Sequence, residues 1–285
     1  MQITVVGSIN LDFVATTPEL PEPGETVTGA TLARHPGGKG ANQALAARRL
    51  GAEVRMVGRI GKAGLGDEAL KLLDAEGVDL EDVMVDPDAA TGVALIAVDP
   101  TGENMIVVAP GANFNVRPED LPQRIESPLI LQLELPIDTV EAAVGRATDF
   151  VCVNLAPAQP VSDLLLRRAD LIVVNEGEAA FYGDMLHHGG GKVAVTRGAK
   201  GAALYQRGQL IAEAAAPKVQ AVDAVGAGDA FVGALVVALL DRLPDDEALA
   251  FACAAGAVAA TRPGAQPALP LRTEVEALIS TISRK

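Results

Sequence analysis

A short apolar run recurs along the chain and ends each time in a polar residue, and this pattern limits the possible folds more than any other in the sequence. The runs LILQLE, FVCVN, LIVVN and KVAVT follow this pattern, and helical segments lie between most of them. Strands buried on both faces of a sheet have this continuous apolar character, because helices cover both faces. The sequence therefore predicts an α/β fold in which helices flank a mostly parallel central sheet.

Both ends of the chain extend this alternation of strand and helix. We predict strands over residues 2–6 and 53–58, and helices over residues 39–50 and 66–77 that both stop at a glycine. Residues 273–285 have the pattern of an amphipathic helix. No internal repeat or low-complexity linker interrupts the rhythm, so we predict a single domain over the whole chain.

Composition excludes several classes of partner. Of the 285 residues 49% are hydrophobic, which is enough for a substantial core over residues 1–285. The formal net charge of −14 argues against nucleic acid and anionic membranes as partners. The longest apolar run is shorter than the roughly 20 residues of a membrane span. The first residues lack the basic segment of a signal peptide, and both cysteines lie in apolar stretches, so we expect a cytoplasmic protein.

Two segments of β character interrupt the alternation. Residues 11–36 are rich in proline and threonine and separate the first strand from the first helix. Residues 91–109 hold two apolar runs around the sequence DPTG, which is the pattern of a hairpin. Both insertions come near the carboxyl end of the predicted sheet, where ligands bind in folds of this class. The pattern fits a small β lid, and it equally fits a long loop with a surface hairpin.

The run DAVGAGDAFVGAL combines small residues, a carboxylate and the start of an apolar helix. Gly226, Ala227 and Gly228 carry nothing larger than a methyl group, so their backbone N–H groups can approach a ligand closely. At a helix N-terminus such groups form an anion site. Asp229 could then take a proton from a hydroxyl that attacks a bound phosphate. Alternatively, its carboxylate only stabilises the helix N-terminus.

Two polar stretches could hold hydroxyl groups. In HPGGKGANQA, Gly38 permits close backbone approach, and Lys39 and Asn42 lie one helical turn apart. In GSINLD, Asn10 and Asp12 point the same way if the chain is extended there. Taken separately, the first stretch is also explained as a glycine-rich turn and the second as a turn with Asx hydrogen bonds.

The segments NEGE and TRGAKG place polar residues at the ends of two predicted strands. Asn175 ends one strand and Glu178 lies one turn further on, so the pair could orient water around Mg²⁺. Thr196 and the glycines of TRGAKG suit phosphate oxygens and a nucleotide. No P-loop is present. The dinucleotide-binding glycine fingerprint is also absent, which argues against a dehydrogenase.

Taken together and in chain order, these stretches resemble the ribokinase branch of the PfkB carbohydrate kinase family. The resemblance spans nearly the whole chain and rests on GSINLD, GETVTG, GGKGANQA, TGVALI, GAN, LQLE, NLAPA, NEGE, TRGAKG, DAVGAGDAF and TRPGAQPALP. It implies an ATP-dependent kinase that phosphorylates the primary hydroxyl of a small sugar, with ribose as the first expectation. It also implies that residues 11–36 and 91–109 form a β lid over the sugar.

The resemblance implies roles for individual residues. Asp229 would be the catalytic base, and the backbone of Gly226, Ala227 and Gly228 the anion hole for the γ-phosphate. The positions that would hold the sugar are Asn10, Asp12, Gly38, Lys39, Gly40, Ala41, Asn42, Glu134 and Asp229. Those that would hold the nucleotide are Asn175, Thr196, Arg197, Gly198, Ala199, Lys200, Gly201, Gly228 and Cys253. Glu178 would hold Mg²⁺ through water, and a monovalent cation, K⁺, would be held by Asp223, Val225, Ala259, Arg262, Gly264 and Ala268.

Three departures from the family pattern bear on these expectations. Ala224 stands where the family usually has threonine, and Ala268 replaces a common hydroxyl ligand, so activation by K⁺ is the expectation that they weaken most. The segment from Glu178 to Val193 is short, which predicts a curtailed helix and a more exposed nucleotide site.

The sequence alone does not settle the substrate or the oligomeric state. The polar pocket favours ribose, but deoxyribose, another small sugar or a nucleoside remains an alternative, as does a sugar or nucleotide sensor without turnover. The edges of the lid often pair between subunits in this family, so the resemblance also leads us to expect a homodimer through the lid.

Overall fold

The computed structural model describes residues 1–62, 64–101 and 103–282, and within these ranges the chain forms thirteen strands and eight α-helices. The strands, in chain order, are β1 (Gln2–Val6), β2 (Asn10–Thr16), β3 (Thr31–Gly37), β4 (Glu53–Gly61), β5 (Asp79–Asp86), β6 (Gly92–Val98), β7 (Asn104–Ala109), β8 (Leu129–Leu131), β9 (Val151–Asn154), β10 (Leu171–Asn175), β11 (Lys192–Thr196), β12 (Ala202–Gln206) and β13 (Gln209–Ala214). The helices are α1 (Lys39–Arg49), α2 (Leu65–Ala75), α3 (Ile137–Arg146), α4 (Asp163–Arg168), α5 (Glu176–Tyr182), α6 (Ala227–Leu240), α7 (Asp245–Ala259) and α8 (Arg272–Ile282).

The central sheet is mostly parallel, which confirms the predicted fold class. Its nine strands in the described ranges lie in the order β13-β12-β11-β10-β9-β8-β1-β4-β5. Every neighbouring pair from β11 to β5 is parallel, whereas β12 and β13 form an antiparallel edge. The predicted strands and helices at both ends of the chain are present; the first strand has the predicted bounds, and the boundaries of the others move by at most three residues within the described range. The last residues of the predicted carboxyl-terminal helix, 283–285, lie outside the described residues.

Alternating strand residues bury both faces of this sheet. In β9, Cys152 joins the core beneath α1, α6 and α7, whereas Val151 and Val153 join the core beneath α3 and α4. The continuous apolar pattern of the run FVCVN thus reflects burial on two sides rather than one. No helix in the described ranges has the combined length and apolarity that a bilayer crossing requires.

The two β insertions pair with each other in a second, four-stranded sheet with the order β3-β2-β6-β7. Strand β2 is antiparallel to β3 and parallel to β6, and β6 and β7 form the predicted hairpin. The small β-sheet predicted from residues 11–36 and 91–109 is therefore present, and we call it the lid sheet. Only three residues separate β2 from β1, so a short loop joins the lid sheet to β1, the third strand from one edge of the central sheet.

Close contact between α1 and α6 brings two helix N-termini to the same place. Helix α6 is apolar on all sides, as expected of a helix buried within a protein. At Gly233 an added Cβ would lie 2.8 Å from the Cβ of Ala46, so the two helix backbones approach closely there. As a result, Lys39 at the start of α1 and Asp229 at the start of α6 both lie at the carboxyl edge of the sheet, where the lid sheet is attached.

Candidate active site

The start of α6 is built for close approach by an anion. Gly226 adopts a left-handed conformation with φ of 79°, and an added Cβ would lie 2.9 Å from the Cα of Ala265. At Gly228, by contrast, an added Cβ would meet nothing within 4 Å, so this residue faces open space. The first N–H groups of a helix have no acceptor within the helix. They are therefore available to a ligand in that space, together with the positive end of the helix dipole.

Asp229 lies in the first turn of α6 and is only 8% exposed. Its Oδ2 accepts a hydrogen bond of 2.9 Å from Asn42 Nδ2, and its Oδ1 accepts one of 2.9 Å from Gln43 Nε2. Burial raises the pKa of Asp229, while the nearby Lys39 and the two amide donors act in the opposite direction. The side chain is thus a buried carboxylate with a raised proton affinity beside an anion site, which suits a general base.

Asp12 lies close enough to this carboxylate to sense its charge. Its pKa is raised to about 7, first by burial and then by the charges of Glu134 and Asp229, with Lys39 opposing them. Among the described residues, Asp12 Oδ1 and Asn42 Oδ1 are buried without a hydrogen-bond partner. Buried polar atoms are rarely left unpaired, so these two oxygens indicate a place for a ligand with hydroxyl groups.

Glu134 and Asn10 are held in place by neighbours from the first loop, the start of α1 and the turn after β7. Ser8 Oγ donates to Glu134 Oε2 over 2.5 Å, and the backbone N–H of Lys39 donates to the same oxygen over 3.1 Å. Asn113 Nδ2 donates to Asn10 Oδ1 over 2.7 Å. Both predicted polar residues are therefore oriented before any ligand binds.

Glycines at the start of α1 allow the helix to sit against the first loop. Gly38 has φ of 87°, and an added Cβ would lie 2.8 Å from the backbone nitrogen of Asn10. At Gly40 an added Cβ would lie 2.5 Å from the carbonyl carbon of Gly7. Next to it, the N–H of Ala41 donates to Ser8 O over 2.9 Å. The glycines that the sequence singled out for ligand approach thus also serve the packing of the site itself.

A cleft of about 890 Å³ lies beside the start of α6. The predicted nucleotide residues that line it are Asn175, Thr196, Gly198, Ala199, Gly201, Gly228 and Cys253. Two others, Arg197 and Lys200, do not line it; the Arg197 side chain pairs with Glu213, and Lys200 is exposed. Most of the remaining wall is apolar, with Phe231 and several alanines, so the cleft can hold a flat base at one end.

Asn175 and Glu178 form a reciprocal cap at the start of α5. Asn175 Oδ1 accepts from the N–H of Glu178, and Glu178 Oε2 accepts from the N–H of Asn175, both over 2.8 Å. Burial raises the pKa of Glu178, against the effect of this backbone donor and of Lys39. Helix α5 is short and ends at Tyr182, as the sequence predicts.

The chemistry of this donor set fits Mg²⁺ that arrives with phosphates. The described residues contain no group of three or more His, Cys, Asp or Glu side chains able to hold a metal ion by themselves. Mg²⁺ in nucleotide sites typically keeps several waters and takes one or two carboxylates plus phosphate oxygens. Glu178, with one carboxylate oxygen free of the cap, fits such a role.

Three of the residues predicted to hold a monovalent cation are joined by hydrogen bonds just before the start of α6. Asp223 accepts from the N–H of Val225 over 2.9 Å and from the N–H of Gly264 over 2.8 Å. Its own N–H donates to Ala260 O, next to the predicted Ala259. The Arg262 side chain pairs with Glu274, and the last predicted position, Ala268, is buried. The main-chain carbonyl oxygens of these segments are therefore the groups that would serve as ligands to such an ion.

Several residues around Asp229 are absent from the sequence prediction of the site. Ser8, Gln43, Asn113 and Gln132 are buried and hydrogen-bonded to predicted site residues or to their partners. All four belong to the motifs GSINLD, GGKGANQA, GAN and LQLE. These motifs point to the site, but the sequence prediction gave site roles only to other residues within or next to them.

The fold and the site together define a kinase of small hydroxyl compounds, and the comparisons with known proteins agree. The chain belongs to the pfkB family of carbohydrate kinases, whose sequence profile matches residues 1–272. This confirms the family resemblance expected from the motifs.

Within this family, the chain is similar to ribokinases. It is 38% identical to the ribokinase of Haemophilus influenzae over 95% of this chain and 96% of the relative. It is 35% identical to that of Bacillus subtilis over 98% and 99%. The crystal structure of the Thermotoga maritima ribokinase matches with a TM-score of 0.89 at 33% identity, covering 98% and 99% of the two chains. The Arabidopsis thaliana ribokinase complexed with ribose and ATP matches with a TM-score of 0.82 at 29% identity, covering 97% and 98%.

Proposed function

We propose that this protein transfers the γ-phosphoryl group of ATP to the primary hydroxyl of D-ribose, which yields ribose 5-phosphate and ADP. The observation that carries the proposal is the position of Asp229, between the unpaired polar atoms beneath the lid sheet and the nucleotide-sized cleft. The similarity to ribokinases, including one complexed with ribose and ATP, supports the choice of both substrates.

The sugar hydroxyls would bind where the protein has polar atoms without partners. Asp12 Oδ1 and Asn42 Oδ1 are two buried acceptors at this site that lack a donor, and a sugar hydroxyl supplies one. Lys39 is a donor in the same cluster, where the carboxylates around it raise its pKa against the effect of burial. Asn10 and Glu134 complete a polar pocket that matches the closely spaced hydroxyls of a pentose.

The reaction then needs one proton transfer and one phosphoryl transfer. Asp229 accepts the proton of the terminal hydroxyl as that oxygen bonds to the γ-phosphorus. The bond from the γ-phosphorus to the bridging oxygen breaks, and ADP leaves with that electron pair. The N–H groups of Ala227 and Gly228 lie at the start of α6, where they stabilise the negative charge on the phosphoryl oxygens.

Both cations act through charge in this scheme. When bound, Mg²⁺ neutralises phosphate charge; Glu178 would hold it through water on the Asn175 side of the cleft. The loop from Asp223 to Gly226, with residues 259–268, would hold K⁺ through carbonyls and so support the anion site from below.

We also propose that the protein is a homodimer joined through the lid sheet and that it works in the cytoplasm. All six residues of β7 are exposed although most are apolar, and Leu32 and Leu95 are also exposed on the same sheet. Exposed apolar patches of this kind mark protein interfaces. The two buried free cysteines are compatible with a reducing compartment.

ADP release from ATP with ribose, deoxyribose, hexoses and nucleosides tests the substrate, with and without K⁺. We expect turnover with ribose, and Asp229→Asn should lower kcat by roughly 10²–10⁴-fold because it removes the base. The control is Asp246→Asn, an exposed acidic residue in the first turn of α7, which tests a purely electrostatic role at a helix N-terminus. Near-normal turnover of Asp229→Asn would refute the base, and no turnover with any compound would point to a sensor.

A further inference from the structure

Three buried amide side chains form a hydrogen-bonded chain behind the carboxylate of Asp229. They are Gln43 on α1, Gln132 just after β8 and Asn154 at the end of β9, and none is more than 8% exposed. None of the three has a part in the proposed binding of sugar or nucleotide. We call them the amide relay.

The direction of every hydrogen bond in the amide relay follows from one backbone carbonyl. Val173 O can only accept, so the group of Asn154 that meets it at 3.0 Å is the Nδ2 donor. Asn154 Oδ1 then faces Gln43, whose Nε2 must donate to it over 3.1 Å. The second proton of Gln43 Nε2 is directed to Asp229 Oδ1 at 2.9 Å. Gln43 Oε1 accepts from Gln132 Nε2 over 2.7 Å.

The relay leaves the Gln43 amide with a single possible orientation. If that amide turned over, its oxygen would face both Asn154 Oδ1 and Asp229 Oδ1, which are acceptors. Buried polar groups without partners are costly, and these two contacts would be lost together. Gln43 is therefore a fixed donor to the carboxylate.

A fixed donor on each carboxylate oxygen has two effects on the base. Asn42 donates to Oδ2 and Gln43 to Oδ1, so the carboxylate of Asp229 cannot rotate about its Cβ–Cγ bond without breaking both hydrogen bonds. Hydrogen bonds to the ionised form also lower a carboxyl pKa. They oppose the burial that raises the pKa of Asp229.

The other charges that face Asp229 come from three elements. Lys39 on α1 favours its ionised form, whereas Glu134 after β8 and Asp12 on β2 disfavour it. Because two negative neighbours oppose one positive neighbour, the amide donors are the remaining interaction that favours the ionised form of Asp229. A neutral donor at Gln43 thus has a role that a purely apolar packing residue could not fill.

We propose that the amide relay is a set of positioning residues for the phosphoryl transfer: Gln43 holds the carboxylate of Asp229 ionised and in one orientation, and Gln132 and Asn154 hold Gln43 as a donor. The relay acts only through Asp229 and touches neither substrate. This inference rests on the proposed function, because it assumes that Asp229 accepts a proton from the sugar.

The test compares kcat, KM and pH profiles of Gln43→Met with those of the unchanged protein, using ribose and ATP. Methionine keeps the length of the side chain and removes its donor. We expect kcat to fall roughly 10- to 100-fold, as for loss of a hydrogen bond to a charged group. The KM for ribose should change by less than about threefold, since no substrate contact is lost. The acid limb of the kcat profile should move to higher pH by about one unit.

Two further variants separate positioning from packing. Gln132→Met removes the donor that orients Gln43 but leaves the Gln43 amide in place, so we expect a shift of the acid limb in the same direction and a smaller loss of kcat, roughly 3- to 10-fold. Thr139→Val removes an equally buried hydrogen-bonding side chain on α3, outside the relay and the site, and should leave kcat within about twofold and the acid limb unmoved. Thermal unfolding checks each fold, and Gln132→Met carries the test if Gln43→Met does not fold.

The possible results are distinct. An acid limb that stays in place in both relay variants, with or without a lower kcat, would assign the relay to packing and overturn the proposal. A large rise in the KM for ribose at constant kcat would overturn it as well, because it would show direct binding. No turnover by the unchanged protein, or full activity of Asp229→Asn, would instead overturn the proposed function.

Discussion

At the residue scale, the site gathers four carboxylates around a single lysine. Asp12, Glu134, Glu178 and Asp229 all interact electrostatically with Lys39. One positive charge cannot neutralise four negative ones, so the site favours ligands that donate hydrogen bonds or bring cations. A sugar with several hydroxyls and a nucleotide accompanied by Mg²⁺ meet both requirements.

Replacing Asp12 with asparagine should stabilise the protein while it weakens sugar binding. The pKa of Asp12 is about 7 in the folded protein against an ordinary value of 3.8, so ionisation opposes folding increasingly as the pH rises from about 4 to above 7. At pH 8 we expect Asp12→Asn to unfold at higher temperature than the unchanged protein, with a gain of at most about 4 kcal/mol that disappears towards pH 4. Its KM for ribose should rise roughly 10- to 100-fold through loss of a charge-assisted hydrogen bond.

Thermal unfolding from pH 4 to pH 8 and steady-state kinetics at pH 8 measure the two effects of Asp12→Asn. The exposed Asp246→Asn serves as the control that changes one carboxylate elsewhere. A gain in stability that does not depend on pH, or an unchanged KM, would contradict the assigned environment of Asp12.

The sequence predicted single site residues better than the contacts between them. Asp229 is predictable because a carboxylate that follows Gly226, Ala227 and Gly228 has few structural explanations. Gln43 is not, because its partner Gln132 lies 89 positions away and Asp229 lies 186 positions away. A buried amide looks the same in sequence whether it faces a core neighbour or a catalytic carboxylate.

At the level of elements, the central-sheet strands that the sequence predicts best are those buried on both faces. Strands β8 to β11 have near-continuous apolar runs and were predicted, with β8 ending three residues before its pattern does. Strand β5 lies at the edge of the sheet and has the sequence DLEDVMVD. Its acidic residues interrupt the apolar pattern from which a strand would be predicted. The edge hairpin of β12 and β13 turns at Arg207 and Gly208, which both have positive φ. Edge strands expose one side to water and lose the apolar pattern.

The packing of α1 on α6 should be sensitive to a single added methyl group. Gly233→Ala would place a Cβ 2.8 Å from the Cβ of Ala46 and 3.0 Å from the backbone nitrogen of Ala47. We expect a destabilisation of roughly 1–3 kcal/mol, as for overpacking of a close-packed core. Because α1 carries Lys39 and α6 carries Asp229, separation of the helices should also lower kcat.

The matched control for this helix pair is Gly145→Ala in α3, where an added Cβ meets nothing within 4 Å. There alanine should stabilise the helix by up to about 1 kcal/mol, because it restricts the unfolded chain. Chemical denaturation of both variants measures the contrast. If the two variants changed the free energy of unfolding equally, α1 and α6 would not be in close contact at Gly233.

At the scale of the whole molecule, the site lies between two sheets with different tasks. The central sheet and its helices supply the base, the anion site and the nucleotide cleft. The lid sheet supplies Asn10 and Asp12, and its other strands leave an apolar surface exposed. An apolar sheet surface in water is unfavourable unless it is covered. We therefore expect sugar binding to depend on what covers the lid sheet.

If a second copy covers the lid sheet, one charge placed there should separate the copies. Val107 on β7 is 64% exposed, and Val107→Glu would put a carboxylate into the apolar contact, where desolvation without a partner is costly. Analytical ultracentrifugation should give twice the chain mass of 29.2 kDa for the unchanged protein and a single chain mass for the variant.

Leu164→Glu on α4, at a residue 73% exposed and outside the lid sheet, is the control and should keep the mass of the unchanged protein. Because the lid sheet also carries Asp12, we expect Val107→Glu to raise the KM for ribose more than that for ATP. The dimer through the lid sheet would be contradicted if the unchanged protein sedimented as a single chain, or if the Val107→Glu variant still sedimented as a dimer.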